Sequence, residues 1–132
     1  MTRFILLTLT LLVLNSSSAY AEWVLVHKGE DGMTVYVNPD TSRRNGDVME
    51  LWVLVDYKTI QTAPPPPYLS ETSQREIDCT QERIRLLAVS TFSAHMGSGE
   101  LLYRYADSED KGIPVEPGSV AQALWKFACN KK

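Results

Sequence analysis

The sequence predicts an α+β fold, an antiparallel β-sheet with one C-terminal α-helix packed on it and tethered by a disulfide, and three features carry that prediction. Apolar and polar residues alternate in short runs rich in β-branched and aromatic side chains, as half-buried strands require. After Pro117-Gly118-Ser119 the period of the apolar residues lengthens to that of a helix. Two cysteines, Cys79 and Cys129, stand where a single bond would tie that helix to the sheet. The chain has 132 residues, enough for one domain and too few for two separate cores. Its hydrophobic share of 44% and charged share of 22% are those of a globular protein.

The first apolar segment is an address and not part of the fold. Met1-Thr2-Arg3 is a short basic start, residues 4–14 are an apolar run, and the stretch ends in Ala19-Tyr20-Ala21, the pattern of a secretory signal peptide. The run is far shorter than the roughly 20 residues that span a bilayer. Cleavage is expected between Ala21 and Glu22, leaving residues 22–132 as the domain, with no transmembrane segment after cleavage. No cysteine lies near the junction to carry a lipid. Loss of Arg3 moves the formal charge from −3 to −4. Such a charge gives no electrostatic footprint for nucleic acid or anionic lipid. Export also places both cysteines where disulfides persist. They lack the Cys-x-x-Cys spacing of a redox pair, so Cys79–Cys129 reads as a structural staple.

Residues 23–27 form the first expected strand, and Gly29-Glu30-Asp31-Gly32 turns the chain into a second over 33–37. Asn38-Pro39-Asp40 is expected to break that run. Asn45-Gly46 signals a two-residue type I′ hairpin, in which both central residues take positive φ. The strand after it, residues 48–57, has Val48, Trp52 and Leu54 on one face and Met49, Leu51, Val53 and Val55 on the other, so it is expected to be central and covered on both sides. Pro64 to Pro67 cannot donate to a ladder and read as an extended polyproline-II spacer at the surface.

Residues 72–79 and 83–92 form a hairpin around Thr80-Gln81. Its expected register sets Asp78 opposite Arg83, Glu76 opposite Arg85 and Ile77 opposite Ile84, pairing acids with bases on one face. Gly97-Ser98-Gly99 leads into the strand at 101–105, and residues 107–112 read as a charged, flexible loop. In the helix, Val120, Leu124, Phe127 and Ala128 form the apolar stripe. Ser119 is the N-cap, Gln122 holds the capping-box position, and Lys131-Lys132 favour the negative end of the helix dipole.

The ordered set of Trp23, Tyr36-Val37-Asn38, Ser42-Arg43-Arg44-Asn45-Gly46, Trp52, Asp56-Tyr57, Tyr68-Leu69-Ser70, Glu76-Ile77-Asp78-Cys79, Arg83-x-Arg85, Gly97-x-Gly99-Glu100, Pro117-Gly118-Ser119 and Cys129 resembles the surface-adhesin protein E-like family across essentially the whole domain. The resemblance implies about six antiparallel strands and a bacterial envelope protein without catalysis. The partners it implies are envelope or host extracellular-matrix proteins. It carries over no ligand-binding residue.

Function classes narrow accordingly. A non-enzymatic envelope module, periplasmic or secreted to the cell surface, would bind through the aromatic and charged residues near Tyr57, Pro64 to Tyr68, Tyr103 and Tyr105, unless these tyrosines pack on the sheet or helix instead; a homodimer is compatible with it. The alternative is a small periplasmic protein that handles a small molecule or metal through His27 and His95, whose spacing matches no ligand motif. No nucleophile elbow or phosphate loop occurs. Arginines opposed to Glu76 and Asp78 would hold those carboxyls ionised, against the needs of a general acid. No enzyme activity, cofactor or metal is expected.

Overall fold

Alternating β-branched residues build the sheet that the patterning predicts. The computed structural model describes residues 22–107 and 109–130. The segment expected to be the export signal, with the Ala21 side of the expected cleavage site, and Lys131-Lys132 lie outside the described residues. Six strands follow one another as an antiparallel meander: β1 (Val24–Lys28), β2 (Thr34–Asn45), β3 (Val48–Gln61), β4 (Tyr68–Asp78), β5 (Arg83–Phe92) and β6 (Leu101–Ala106). A two-residue strand, β7 (Ile113–Pro114), adds to the lower part of β5, and α1 (Val120–Ala128) closes the chain.

One face of the sheet carries the core. Val35, Val37, Leu51, Val53, Val55, Ile77 and Ile84 pack with Ala121, Leu124 and Ala128 of α1. The helix starts where Ser119 Oγ accepts the Gln122 N–H at 3.1 Å. Gln122 Oε1 answers by accepting from Gly118 N–H at 2.9 Å, one residue earlier than a regular capping box. The buried stripe is Ala121, Leu124 and Ala128, while Phe127 remains 37% exposed, so Phe127 does not belong to the core as the periodicity predicts. The Cys79–Cys129 disulfide joins the β4–β5 turn to the C-cap residue of α1, with Cα atoms 5.6 Å apart.

Four local expectations change. Asn38-Pro39-Asp40 does not end β2. The strand bulges there, advancing five residues from Asn38 to Arg43 while β3 advances two, from Trp52 to Glu50. The hairpin that follows has Gly46-Asp47 as its two loop residues, with Asn45 and Val48 as the last pair; only Gly46 has positive φ, 66°. That is the φ pattern of a type II′ turn, which needs glycine only at its first central position. The proline segment bends over residues 63–66 and stays exposed, so it lies at the surface but is not a regular polyproline-II spacer. Finally, the 107–112 loop is anchored where it is described: Asp110 accepts from Leu86 N–H at 3.1 Å and Gly112 N–H at 2.8 Å.

The β4–β5 hairpin keeps the expected register, with Asp78 opposite Arg83, Ile77 opposite Ile84 and Glu76 opposite Arg85. Its chemistry differs by one pair. Arg85 meets Glu76 at 2.9 Å, but Arg83 donates to the Gly112 carbonyl at 2.8 Å. Asp78 instead caps the turn, accepting from Thr80 and Gln81 N–H groups at 3.1 and 2.9 Å. A short carboxylate next to two unsatisfied backbone donors bonds locally before it can reach across the ladder.

Candidate functional site

A single helix can seal only one face of a sheet, and the other face is where β3 departs from expectation. Directly opposed residues share a face, so Asn38, Trp52 and Gln74 form one outer row, and Tyr36, Leu54 and Thr72 the next. Leu54 is fully buried because the tight turn at His95–Gly97 folds over it. A Cβ added to Gly97 would sit 3.4 Å from Thr72 Cγ2 and 3.5 Å from Leu54 Cδ1, so the backbone is seated on both side chains. Ser70 pins this turn, donating to the Ala94 carbonyl at 2.5 Å and accepting from Gly97 N–H at 2.9 Å. Asp56 Oδ1 takes the Met96 N–H at 2.8 Å and lies 3.1 Å from His95 Nδ1. The turn does not reach Trp52, which stays 37% exposed. β3 is therefore central in strand order but covered on its outer face only where the turn lies, over Leu54 and Asp56.

The β2 bulge walls the uncovered end. Asn38 Oδ1 accepts from Asp40 N–H at 3.1 Å, Thr41 Oγ1 donates to the Asn38 carbonyl at 2.8 Å, and Ser42 Oγ donates to the Pro39 carbonyl at 2.8 Å. These short side chains satisfy backbone groups that the ladder leaves unpaired at a bulge, where proline has no N–H to lose. Residues 40–43 then stand beside Trp52, Glu50 and Gln74 around a cavity of about 390 Å³. Gln74 Nε2 donates to Glu50 Oε1 at 3.1 Å, and Arg43 is opposite Glu50 in register. Among the described residues, no hydrogen bond engages the Asp40 carboxylate or the Arg43 guanidinium. A second cavity of about 260 Å³ adjoins the first and shares Arg43 and Glu50 with it.

The tyrosines named from sequence do not make one exposed surface. Tyr57 and Tyr68 pack edge to face with ring centroids 5.9 Å apart, and Tyr68 is buried, donating to the Ala63 carbonyl at 2.8 Å. The Tyr57 hydroxyl donates to Glu71 at 2.9 Å; burial first, and then the Glu71 charge, push its ionisation well above the ordinary range. Arg75 lies beside this pair, 4.0 Å from Glu71, and desolvation lowers its pKa while Glu71 and Tyr57 oppose that shift. Glu71, Thr91 and Tyr103 form a row on the core face, with Val89 and Tyr105 in the next. Tyr105, at the sheet edge, is the tyrosine of this set left largely exposed.

The histidines are held apart. His27 lines a groove of about 280 Å³ between β1 and α1, and His95 sits on the outer-face turn. Among the described residues no group of three or more His, Cys, Asp or Glu is placed to hold a metal. Sequence reasoning missed the cavity over Trp52. The signal was present in Asn38-Pro39-Asp40-Thr41-Ser42, a run of backbone-bonding side chains within a strand, which is the composition of a bulge as well as of a break.

The family model described as surface-adhesin protein E matches residues 23–130. No curated protein matches the chain. Crystal form II of Haemophilus influenzae protein E is 11% identical, with a TM-score of 0.62 over 89% of this chain and 94% of that one. A second structure of Haemophilus influenzae protein E is 10% identical, TM-score 0.59, covering 89% and 91%. Protein E from non-typeable Haemophilus influenzae is 10% identical, TM-score 0.57, covering 89% and 82%. At these identities the likeness is one of fold.

Proposed function

The chain belongs to the surface-adhesin protein E family, and from that membership we propose that it is an exported, non-catalytic adhesion-type module that binds another envelope component or a host extracellular-matrix protein through the outer face of its sheet. Residues 1–21 serve as the export signal, cleaved between Ala21 and Glu22, and residues 22–132 act in the periplasm or at the cell surface. The observation that carries this reading is the asymmetry of the two faces. The disulfide-held helix packs on one face, and the other presents Trp52, 37% exposed, beside the Asp40 carboxylate and the Arg43 guanidinium, which no hydrogen bond engages among the described residues. Exposed indole flanked by arginine and polar side chains is the composition of an interaction hot spot.

Absence of catalysis is supported by the chemistry of the same face. Glu50 and Glu76 are engaged by Gln74 and Arg85, and Asp56 by the His95–Gly97 turn; among the described residues no hydroxyl or thiol nucleophile is hydrogen-bonded to the remaining carboxylate, Asp40. Purified disulfide-bonded protein applied to arrays of matrix proteins and of envelope fractions tests the proposal. Saturable binding that falls when Trp52 or Gln74 is changed to Ala is expected, and no binding above background to any fraction counts against it.

A further inference from the structure

The chemistry around Trp52 is more specific than a generic docking face. The cavity, at about 390 Å³, falls within the range of about 300–1,000 Å³ usual for small-ligand sites. Its lining joins one indole to groups that accept or donate several hydrogen bonds each: two carboxylates from Asp40 and Glu50, the Gln74 amide and the Arg43 guanidinium. An apolar side chain of a peptide finds little there to bury against except Trp52. A ligand that fits needs an apolar ring face for the indole and a rim of hydroxyl donors for the carboxylates, and that combination is a pyranose. Two carboxylates against one guanidinium leave the site net negative, which disfavours an acidic sugar. The adjoining cavity of about 260 Å³, reached past Arg43 and Glu50, offers room for a second ring.

We propose that the outer-face cavity at Trp52 is a saccharide site that takes a neutral pyranose unit of a glycan, with Trp52 stacking on the ring, Asp40 and Glu50 accepting from its hydroxyls, and Gln74 and Arg43 donating to its oxygens. The proposal rests on the outer face being the binding face and names the ligand class of that face. The β2 bulge is the device that builds it, since a regular β2–β3 ladder would leave the indole on a flat sheet without a wall.

Saturation-transfer NMR on the disulfide-bonded protein tests it, with N,N′-diacetylchitobiose and lactose as neutral probes and glucuronic acid as the acidic one. The neutral disaccharides are expected to bind with a dissociation constant of about 1 mM, typical of one stacked ring with a few hydrogen bonds. Trp52→Ala should weaken binding about 10-fold or more, and Gln74→Ala and Asp40→Ala provide independent readings should Trp52→Ala fail to fold. Immobilised peptidoglycan and desialylated glycoprotein serve as separate arms that identify the glycan source. No signal from either neutral probe, or an equal signal from glucuronic acid, overturns the saccharide assignment. Binding to a fully deglycosylated protein target that still depends on Trp52 overturns it too, while leaving the outer face as the binding face.

Discussion

The Tyr57 phenol shows how neighbouring residues set a proton equilibrium in this fold. Burial removes the water that would stabilise a phenolate, and Glu71, accepting the hydroxyl proton at 2.9 Å, adds a negative charge beside it. An unfolded chain releases a tyrosine proton near pH 10, whereas the fold keeps it to higher pH. Stability from this group is thus complete below about pH 10 and declines as pH rises above it, because the unfolded state then binds fewer protons than the folded one. Urea denaturation at about pH 8 and about pH 11 should show that decline, and a shallower one in Tyr57→Phe. An unchanged alkaline slope in the variant would refute this role for Tyr57. Trp52 illustrates the opposite case, a large apolar side chain that its neighbours leave uncovered. At 37% exposure it still buries much of its ring, so removing it to Ala should cost about 1–3 kcal/mol, and a loss of binding is read as loss of contact in a variant verified as folded.

Elements were legible to the extent that their own residues decide them. The β4–β5 hairpin follows directly from the pattern of Glu76-Ile77-Asp78 and Arg83-Ile84-Arg85, because alternate positions must share a face and the turn length fixes which ones meet. The N-cap at Ser119 was equally readable, since its side chain bonds within the same turn. Ser119→Ala should cost about 1 kcal/mol. The orientation of α1 was less readable. Its periodicity admits neighbouring stripes, and which one is buried depends on where the sheet lies. Leu124, fully buried, should cost about 2–5 kcal/mol on truncation to Ala, and Phe127, 37% exposed, less, about 1–2 kcal/mol. Thermal or chemical denaturation of the two variants checks the assignment, and equal losses would contradict it. The β2 bulge escaped the sequence for a related reason: Asn38-Pro39-Asp40 carries the same local signal whether the strand ends or loops out, and only pairing with β3 on both sides decides.

At the scale of the molecule, the antiparallel order and the staple were readable, because patterning and a single pair of cysteines restrict them strongly. Coverage of the outer face was not, since it depends on where a loop remote in sequence comes to rest: Gly97 seated over Leu54 and Thr72, with Trp52 left beyond it. The disulfide closes a loop with a sequence separation of 50, and in the chain-entropy model that contributes about 4 kcal/mol by limiting the unfolded ensemble. Cys79→Ser or Cys129→Ser should then lower the melting temperature by more than about 10 °C, as a helix of nine residues would be left to hold its place by packing alone. An unchanged melting temperature in either variant would remove the staple from the account. The division of labour between the faces can be measured most directly by comparing wild type, Trp52→Ala and Phe127→Ala, each verified as folded and disulfide-bonded, for saturable binding to immobilised matrix and envelope components. The outer-face account predicts that Trp52→Ala loses binding about 10-fold or more while Phe127→Ala retains it, and the reverse order would contradict it.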